Sequence, residues 1–353
     1  MTKKIIAIIL AVFMICSLAA CGSKSPATET DLPVEAPSTD TDIPATPEEP
    51  TEPTESEVPQ PDAEPINIMV LNGTTGFGMA KLMSDTAAGE SWLNYNFSVE
   101  TDASNITAAL INGSVDIAAL PTNAASVVYN KTQGGVQLLA LNTLGVLYLV
   151  AGEGENITSL ADLEGKTVYA PAQNPSFVMQ YICANAGVNV TIDNTYAQPA
   201  DLRSAVAAGE VSLAVLPEPM VTIACSANES LSVALDLTEE WGKVSDSQLV
   251  QGCLVVRTEF AESHPAAIEK FLSEYEASIA FLSEDTAAAA QMIADTGIFA
   301  QAGVAQKAIP NCNVCFISGI DMMYPMDGFL EAMFSIAPQS IGGAIPGEDF
   351  YYA

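Results

Sequence analysis

Four short stretches of this sequence place polar side chains where a chain turning from strand into helix could hold a small molecule. They are NGTTG (residues 72–76), LPTNA (120–124), AQNPSF (172–177) and LPEPM (216–220). Helix starts expose unpaired N–H groups, and neighbouring hydroxyls and amides add donors and acceptors. The candidate contacts are Asn72, Gly73, Thr74, Thr75 and Gly76 from the first turn and Pro121, Thr122 and Asn123 from the second. Asn174, Ser176 and Phe177 come from the third, and Glu218 from the fourth. Taken singly, each turn reads equally well as ordinary helix capping. Four in one chain, two from each half, favour a shared cleft. Glu218 is the obvious acid among them, suited to a cation or to a donor group.

The first turn lies within VLNGTTGFGMAKLM (70–83), which has the strand, glycine loop and helix of a phosphate-binding site. Its glycines, Gly73, Gly76 and Gly78, are spaced G-x-x-G-x-G, whereas the dinucleotide fingerprint is G-x-G-x-x-G. A Walker loop needs G-K-[ST] at the helix start, and here Met79 follows Gly78 with Lys81 out of register. Glu100 and Asp102, after the next strand, are too common as residue types to restore the fingerprint. Nucleotide chemistry is therefore not expected. A hydrolase is not expected either, because no G-x-S-x-G elbow is present and the sole histidine, His264, stands before a helix-starting proline.

Beyond residue 21 the cysteines are Cys183, Cys225, Cys253, Cys312 and Cys315, an odd number that rules out complete internal pairing. Cys312 and Cys315 form a C-x-x-C. No second such pair accompanies it, so packing in an apolar segment, a labile disulfide and a metal site stand as readings in that order. No metal or cofactor is expected.

The elements that must position these turns are legible as alternating apolar runs and helical patterns. INIMVLN, NFSVET and DIAALP read as strands, with helices over residues 76–88, 103–112 and 122–131. Gly113 is a normal helix stop. QLLALNTLGVLYLVA supplies one or two strands, and KTVYAP another. NPSFVMQYICANAG reads as a helix with Asn174 at the N-cap and Pro175 at its first position. SLAVLPEP is a strand, QGCLVVRTEF a returning strand, and the helix over 265–284 presents Ile268, Phe271, Leu272, Tyr275 and Ile279 on one face. Strands separated by helices imply an α/β architecture, here in two units.

The N-terminus sets the compartment. Lys3 and Lys4, an apolar run over residues 5–18 and small residues before Cys21 form a secretory signal. That run is shorter than the roughly 20 residues a membrane span needs. Residues 22–65 are rich in Pro, Glu, Asp, Thr and Ser and offer few apolar side chains to offset the entropy of ordering. They read as a tether, reaching about 130 Å if extended and about 40 Å as a coil. The formal charge is −32, with only 11 Lys and Arg. Nucleic acid and charge-driven adhesion to anionic lipid are therefore excluded as partners.

Several segments, in order, resemble the solute-binding proteins of ABC importers. The chain is most similar to the nitrate/sulfonate/thiamine-precursor-like group. SLADLEGKTVYAP resembles that group's DL-x-GK turn and strand, and AVAAGEVSLAVLPEP its G-x-[VA]-D-x-A-x-x-x-x-P segment, with Ser212 at the acidic position. VVRTEFAESHPAAIEKFL resembles its return strand and helix, while AIPNCNVCFI and SIGGAIPGEDFYY are similar to a Firmicute branch in which Pro often replaces Thr74. The resemblance implies a two-lobed type II periplasmic-binding fold, each lobe a mixed sheet flanked by helices, joined by hinge segments near 151–157 and 249–256. Its lobes would be residues 66–153 plus 254–353, and 154–253. LAAC (18–21) resembles the lipoprotein box, implying a signal peptide over 1–20, lipid on Cys21 and a chain anchored to the extracytoplasmic face of the cell membrane. The implied function is capture of a small polar organic molecule between the lobes by a monomer that delivers it to an ABC permease. An enzyme or a surface sensor on the same fold is the alternative. The cysteine-rich iron motif of the yeast-type thiamine-pyrimidine synthases, which share this fold, is absent.

Overall fold

The computed structural model describes residues 64–352. The signal segment, Cys21 and almost all of the tether lie outside the described residues. Eleven strands are present among those described: β1 (Ile66–Leu71), β2 (Tyr95–Glu100), β3 (Ile117–Pro121), β4 (Val136–Leu144), β5 (Leu147–Ala151), β6 (Thr167–Tyr169), β7 (Thr191–Asp193), β8 (Leu213–Pro217), β9 (Ser232–Asp236), β10 (Val250–Arg257) and β11 (Val314–Ser318). They form two mixed sheets, ordered β11-β4-β10-β3-β1-β2 and β7-β6-β8-β5-β9.

In the first sheet β1 runs parallel to both β2 and β3, and β10 returns antiparallel between β3 and β4. In the second, β6 runs parallel to β7 and β8, while β5 is antiparallel to β8 and β9. β1 alternates buried Ile66, Ile68 and Val70 with half-buried neighbours. β3 and β10 sit centrally and are buried almost throughout, as near-continuous apolar runs must be when both faces are covered.

The chain changes sheets twice. The first change falls at Gly145–Val146, because the run expected to give one or two strands is cut there into β4 and β5, and β5 joins the second sheet. The second falls between Leu237–Gly242, the helix after β9, and β10, which belongs wholly to the first sheet. The sheet boundaries thus lie some residues before 153 and 253. Glycine 145 explains the first offset: a Cβ there would stand 2.1 Å from Thr238 Oγ1, so only glycine lets the chain cross so close to that helix.

The helical stops follow the sequence. Ala103–Asn112 starts at Asp102, whose carboxylate accepts from Ser104 N at 2.8 Å, and ends at Gly113 with φ 76°. Pro265–Glu284 buries Ile268, Phe271 and Tyr275, with Leu272 and Ile279 packed beside them. The helix expected over 76–88 is divided into Thr74–Phe77 and Ala80–Ala88. The helix expected to be capped by Asn174 begins at Asn174 itself, with Gln173 before it at φ 71°. One hydrophobic core spans both sheets, joining Leu120 and Leu141 to Leu147 and Val215 beside Met326, Phe329 and Met333 of helix Met323–Ile336. A second fills the outer face of the first sheet.

Candidate functional site

β1 and β3 are hydrogen-bonded parallel neighbours, so the turns 72–76 and 120–124 leave the same edge of the first sheet about 5 Å apart. β6 and β8 stand in the same relation, which brings the turns 172–177 and 216–220 together at the carboxyl edge of the second. Ligands of open α/β sheets bind outside such edges.

Hydrogen bonds link three of the four turns to each other and to both sheet crossings. Thr74 Oγ1 donates to the Glu218 carbonyl at 2.8 Å, from one sheet to the other. Glu218 N donates to Val146 O in the first crossing at 3.0 Å. Val146 N donates to Gln251 Oε1 at 2.7 Å, tying that crossing to β10. Thr122 Oγ1 donates to Val250 O at 2.9 Å. Thr74, Thr122, Asn123, Asn142, Thr143, Asn174, Ser176, Glu218 and Gln251 are all buried, a concentration of polar groups where an apolar core would otherwise close.

The third turn holds to its own sheet. Ser176 Oγ donates to Pro171 O at 2.8 Å and accepts from Asn194 Nδ2, while Phe177 packs on the spanning core. Asn174 is 8% exposed, and its Oδ1 has no hydrogen-bond partner. Asn123 Nδ2 reaches the Ser340 carbonyl at 3.3 Å, and Ser340 Oγ is a further buried atom without a partner. Asn72 is exposed, with its N–H on Glu100 O at 2.8 Å, and Pro121 is half-buried.

The glycines of the first turn serve close packing. Gly73 takes φ 82°, a left-handed conformation that glycine alone adopts without cost. At Gly76 a Cβ would stand 2.5 Å from the Leu71 carbonyl and 2.9 Å from Val70 Cγ1 and Ile298 Cγ2. The phosphate-loop appearance of this segment thus comes from a helical turn pressed onto its own strand.

Glu218 is 4% exposed. Its carboxylate accepts from Thr222 Oγ1 at 3.0 Å and Thr222 N at 3.1 Å, with the Asn311 side chain as another donor. Burial nevertheless pushes the carboxyl above its ordinary value, outweighing these bonds. Around it, Tyr148 OH donates to Asn311 O at 2.9 Å, Asn142 Nδ2 to Thr75 O at 3.2 Å and Asn313 Nδ2 to Gly145 O at 2.6 Å. Tyr148, Asn142, Asn311 and Asn313, with Gln251, are not among the residues singled out from sequence. Their signal was an amide or hydroxyl interrupting an apolar run, as Asn142 does in LLALNTLGVL.

All five described cysteines are free thiols. Cys312 lies 3.9 Å from Thr74 Oγ1 at the seam, and Cys315, on β11, is 3.7 Å from the Leu141 carbonyl of neighbouring β4, so the C-x-x-C is packed unpaired. Among the described residues no group of three or more His, Cys, Asp and Glu side chains could hold a metal ion. His264 is exposed and stacks on Phe260 with ring centroids 4.5 Å apart. A separate groove of about 700 Å³ lies between Tyr181, Asn185, Ser247, Tyr324 and Asp327, and none of the four turns lines it.

The family model described as ABC transporter, phosphonate, periplasmic substrate-binding protein matches residues 90–302, more than half of the chain. The chain belongs to this family. It is the extracytoplasmic substrate-binding component of an ABC transporter, and no helix among the described residues is long and apolar enough to cross a membrane. Curated protein sequences give no match. Solved structures share the fold. An ABC transporter protein from Parabacteroides distasonis is 23% identical, with a TM-score of 0.71 over 82% of this chain and 99% of its own. The aliphatic sulphonate-binding protein SsuA of Escherichia coli is 14% identical, with a TM-score of 0.66 over 82% and 92%. The alkanesulfonate-binding SsuA of Xanthomonas axonopodis, solved with MOPS, is 14% identical, with a TM-score of 0.59 over 77% and 94%. The substrate-binding protein described here therefore has the two-lobed type II periplasmic-binding fold, one mixed sheet to each lobe.

Proposed function

We propose that this substrate-binding protein captures a small polar organic molecule in the seam between its two sheets, leaves it chemically unchanged and hands it to an ABC permease. The lobes in this reading are the first sheet with its helices and the second sheet with its own, hinged at Gly145–Val146 and at the segment before β10. The observation that carries it is the buried polar set at the strand ends, bonded from one sheet to the other through Thr74 and Glu218. The twelve residues of the four turns named from sequence are the proposed contacts, with Asn142 and Gln251 beside them. Hinge closure would be driven only by the difference in the solute's affinity for the two forms.

A lipid on Cys21 and the acidic tether would hold a monomeric receptor near its permease at high effective concentration. The test is a thermal-shift screen of small solutes on the full chain, followed by mass spectrometry of each stabilising solute after incubation. A solute that raises the melting temperature and is recovered intact supports capture. Turnover of the solute replaces this reading with an enzyme, and the absence of stabilisation by any small solute removes the seam as a binding site.

A further inference from the structure

The family's description names a phosphonate, and two of the structural relatives bind sulfonates. This chain's seam has the opposite electrostatic character. No Lys or Arg falls in the turns 72–76, 120–124, 172–177 or 216–220, at Gly145–Val146, or in residues 247–251. Of the cations flanking the second crossing, Lys243 is held by Glu240 at 2.7 Å and Arg257 by Asp116 at 3.0 Å. A phosphonate dianion here would be desolvated with no counter-charge, and close to a buried carboxyl.

Two buried side-chain atoms after strands of the second sheet lack a partner, the Thr238 hydroxyl, packed against Gly145, and Asn174 Oδ1, which can only accept. Asn174 Oδ1 is nine-tenths buried and unbonded at the start of a 13-residue helix. A buried acceptor left unpaired loses its hydration without compensation, so a donor belongs there. One strand away, Glu218 is buried with only neutral donors around it. Hydroxyls and amides can satisfy its lone pairs but cannot offset the burial of its charge, whereas an ammonium group can. Burial is the first cause of the raised carboxyl described above, and the neutral donors do not outweigh it. At longer range, a formal charge of −32 draws cations and repels anions.

Resting on the receptor reading above, we infer that the solute presents an amino group, carrying N–H donors, to Asn174 Oδ1 and the Glu218 carboxyl. The substrate class is a small amine, and any acidic group it also bears faces the first sheet. The helix Thr122–Thr132 there begins without a side-chain cap, leaving N–H groups for an acceptor.

The experiment uses the full chain and three defined sets: small primary and secondary amines, the same compounds N-acetylated, and alkyl phosphonates and sulfonates without nitrogen. Stabilisation by the amines alone, at least tenfold tighter than their acetylated partners, is the expected result. Equal or tighter binding of the acetylated set, or of the nitrogen-free acids, overturns the amine while leaving the receptor standing. Failure of all three sets overturns the amine, and the receptor reading falls only if the wider solute screen above also fails. Glu218→Gln and Asn174→Ala are each expected to lose at least tenfold in amine affinity. An unchanged affinity in whichever variant keeps the parent's melting temperature overturns the assignment.

Discussion

The Thr74 hydroxyl donates to the Glu218 carbonyl at 2.8 Å, although the two residues lie 144 positions apart and follow strands of different sheets. Thr74 is 7% exposed and Glu218 4%, so neither group has water to turn to when the bond is lost. Thr74→Val keeps the shape and removes the donor, at a cost of about 1–3 kcal/mol for the stranded carbonyl. The neighbouring Tyr148–Asn311 bond remains. The variant should therefore fold, populate a more open form and bind its solute more weakly, while Thr74→Ser behaves as the parent. Small-angle scattering without solute checks this: an unchanged radius of gyration in Thr74→Val would show that the bond does not hold the seam closed.

The raised Glu218 carboxyl sets the sign of a pH effect. A carboxyl whose folded value stands above its unfolded one favours folding below the ordinary carboxylate range. It loses that advantage as pH rises through the folded value. Glu218→Gln cannot ionise, so without solute the variant should gain on the parent in unfolding free energy as pH increases. Groups held low, such as Glu155 beside Lys166, are common to both proteins and cancel in the difference. Denaturant titrations of both chains across acid to neutral pH measure it. A gap moving in the parent's favour would mean that the carboxylate is better solvated folded than unfolded.

Gly145 and Thr238 define the first crossing. A Cβ at position 145 would lie 2.1 Å from Thr238 Oγ1 and 2.9 Å from its Cβ. Gly145→Ala should cost about 1–3 kcal/mol as overpacking, read as a lower melting temperature. Adding Thr238→Ala removes the hydroxyl that is struck, so the double variant should recover part of the loss. Strict additivity of the two effects would show that they do not meet.

The sheets, the helix stops and the four turns are legible because each rests on local rules: the apolar run of β1, Gly113 at the end of one helix, and proline beside Asn174. What remained hidden depends on contacts distant in sequence. Nothing local shows that LALNTLGVLYL divides at Gly145 between two sheets, since both halves are equally apolar. Nor does local sequence reveal that Thr122 turns away from capping to reach Val250, or that Asn174 stands inside its helix with its amide oxygen unused. The glycines of the first turn were visible, but their reason, a carbonyl 2.5 Å from where a Cβ would sit, was not.

The thiols offer a direct chemical check. Cys253 and Cys312 are fully buried, and burial pushes the Cys183 thiol up to about 11 and that of Cys315 up to about 12. A thiol held so far above neutral pH presents little thiolate to a disulfide reagent. In the native chain half-buried Cys225 should react first, with Cys183, Cys253 and Cys312 reacting only on unfolding. Timed labelling with peptide mapping follows each site. Cys312 and Cys315 remaining unlabelled after denaturation without reductant would indicate a disulfide, against the packed thiols described above.

Thr122 and Asn174 separate stability from binding. Thr122 is fully buried and its hydroxyl is spent on Val250 O, so Thr122→Ala strands a carbonyl and leaves a small void. A loss of about 1–3 kcal/mol is expected in denaturant unfolding. Asn174 Oδ1 has no partner to lose, and removing an unsatisfied buried acceptor relieves about 1–3 kcal/mol of desolvation, so Asn174→Ala should not destabilise the solute-free chain. Its effect should fall on solute affinity instead, because an acceptor that the fold itself does not satisfy is available to the solute. Measuring unfolding without solute and binding with it, on both variants, gives a crossed pattern. A large stability loss in Asn174→Ala, with affinity retained, would make that side chain structural and remove the third turn from the site.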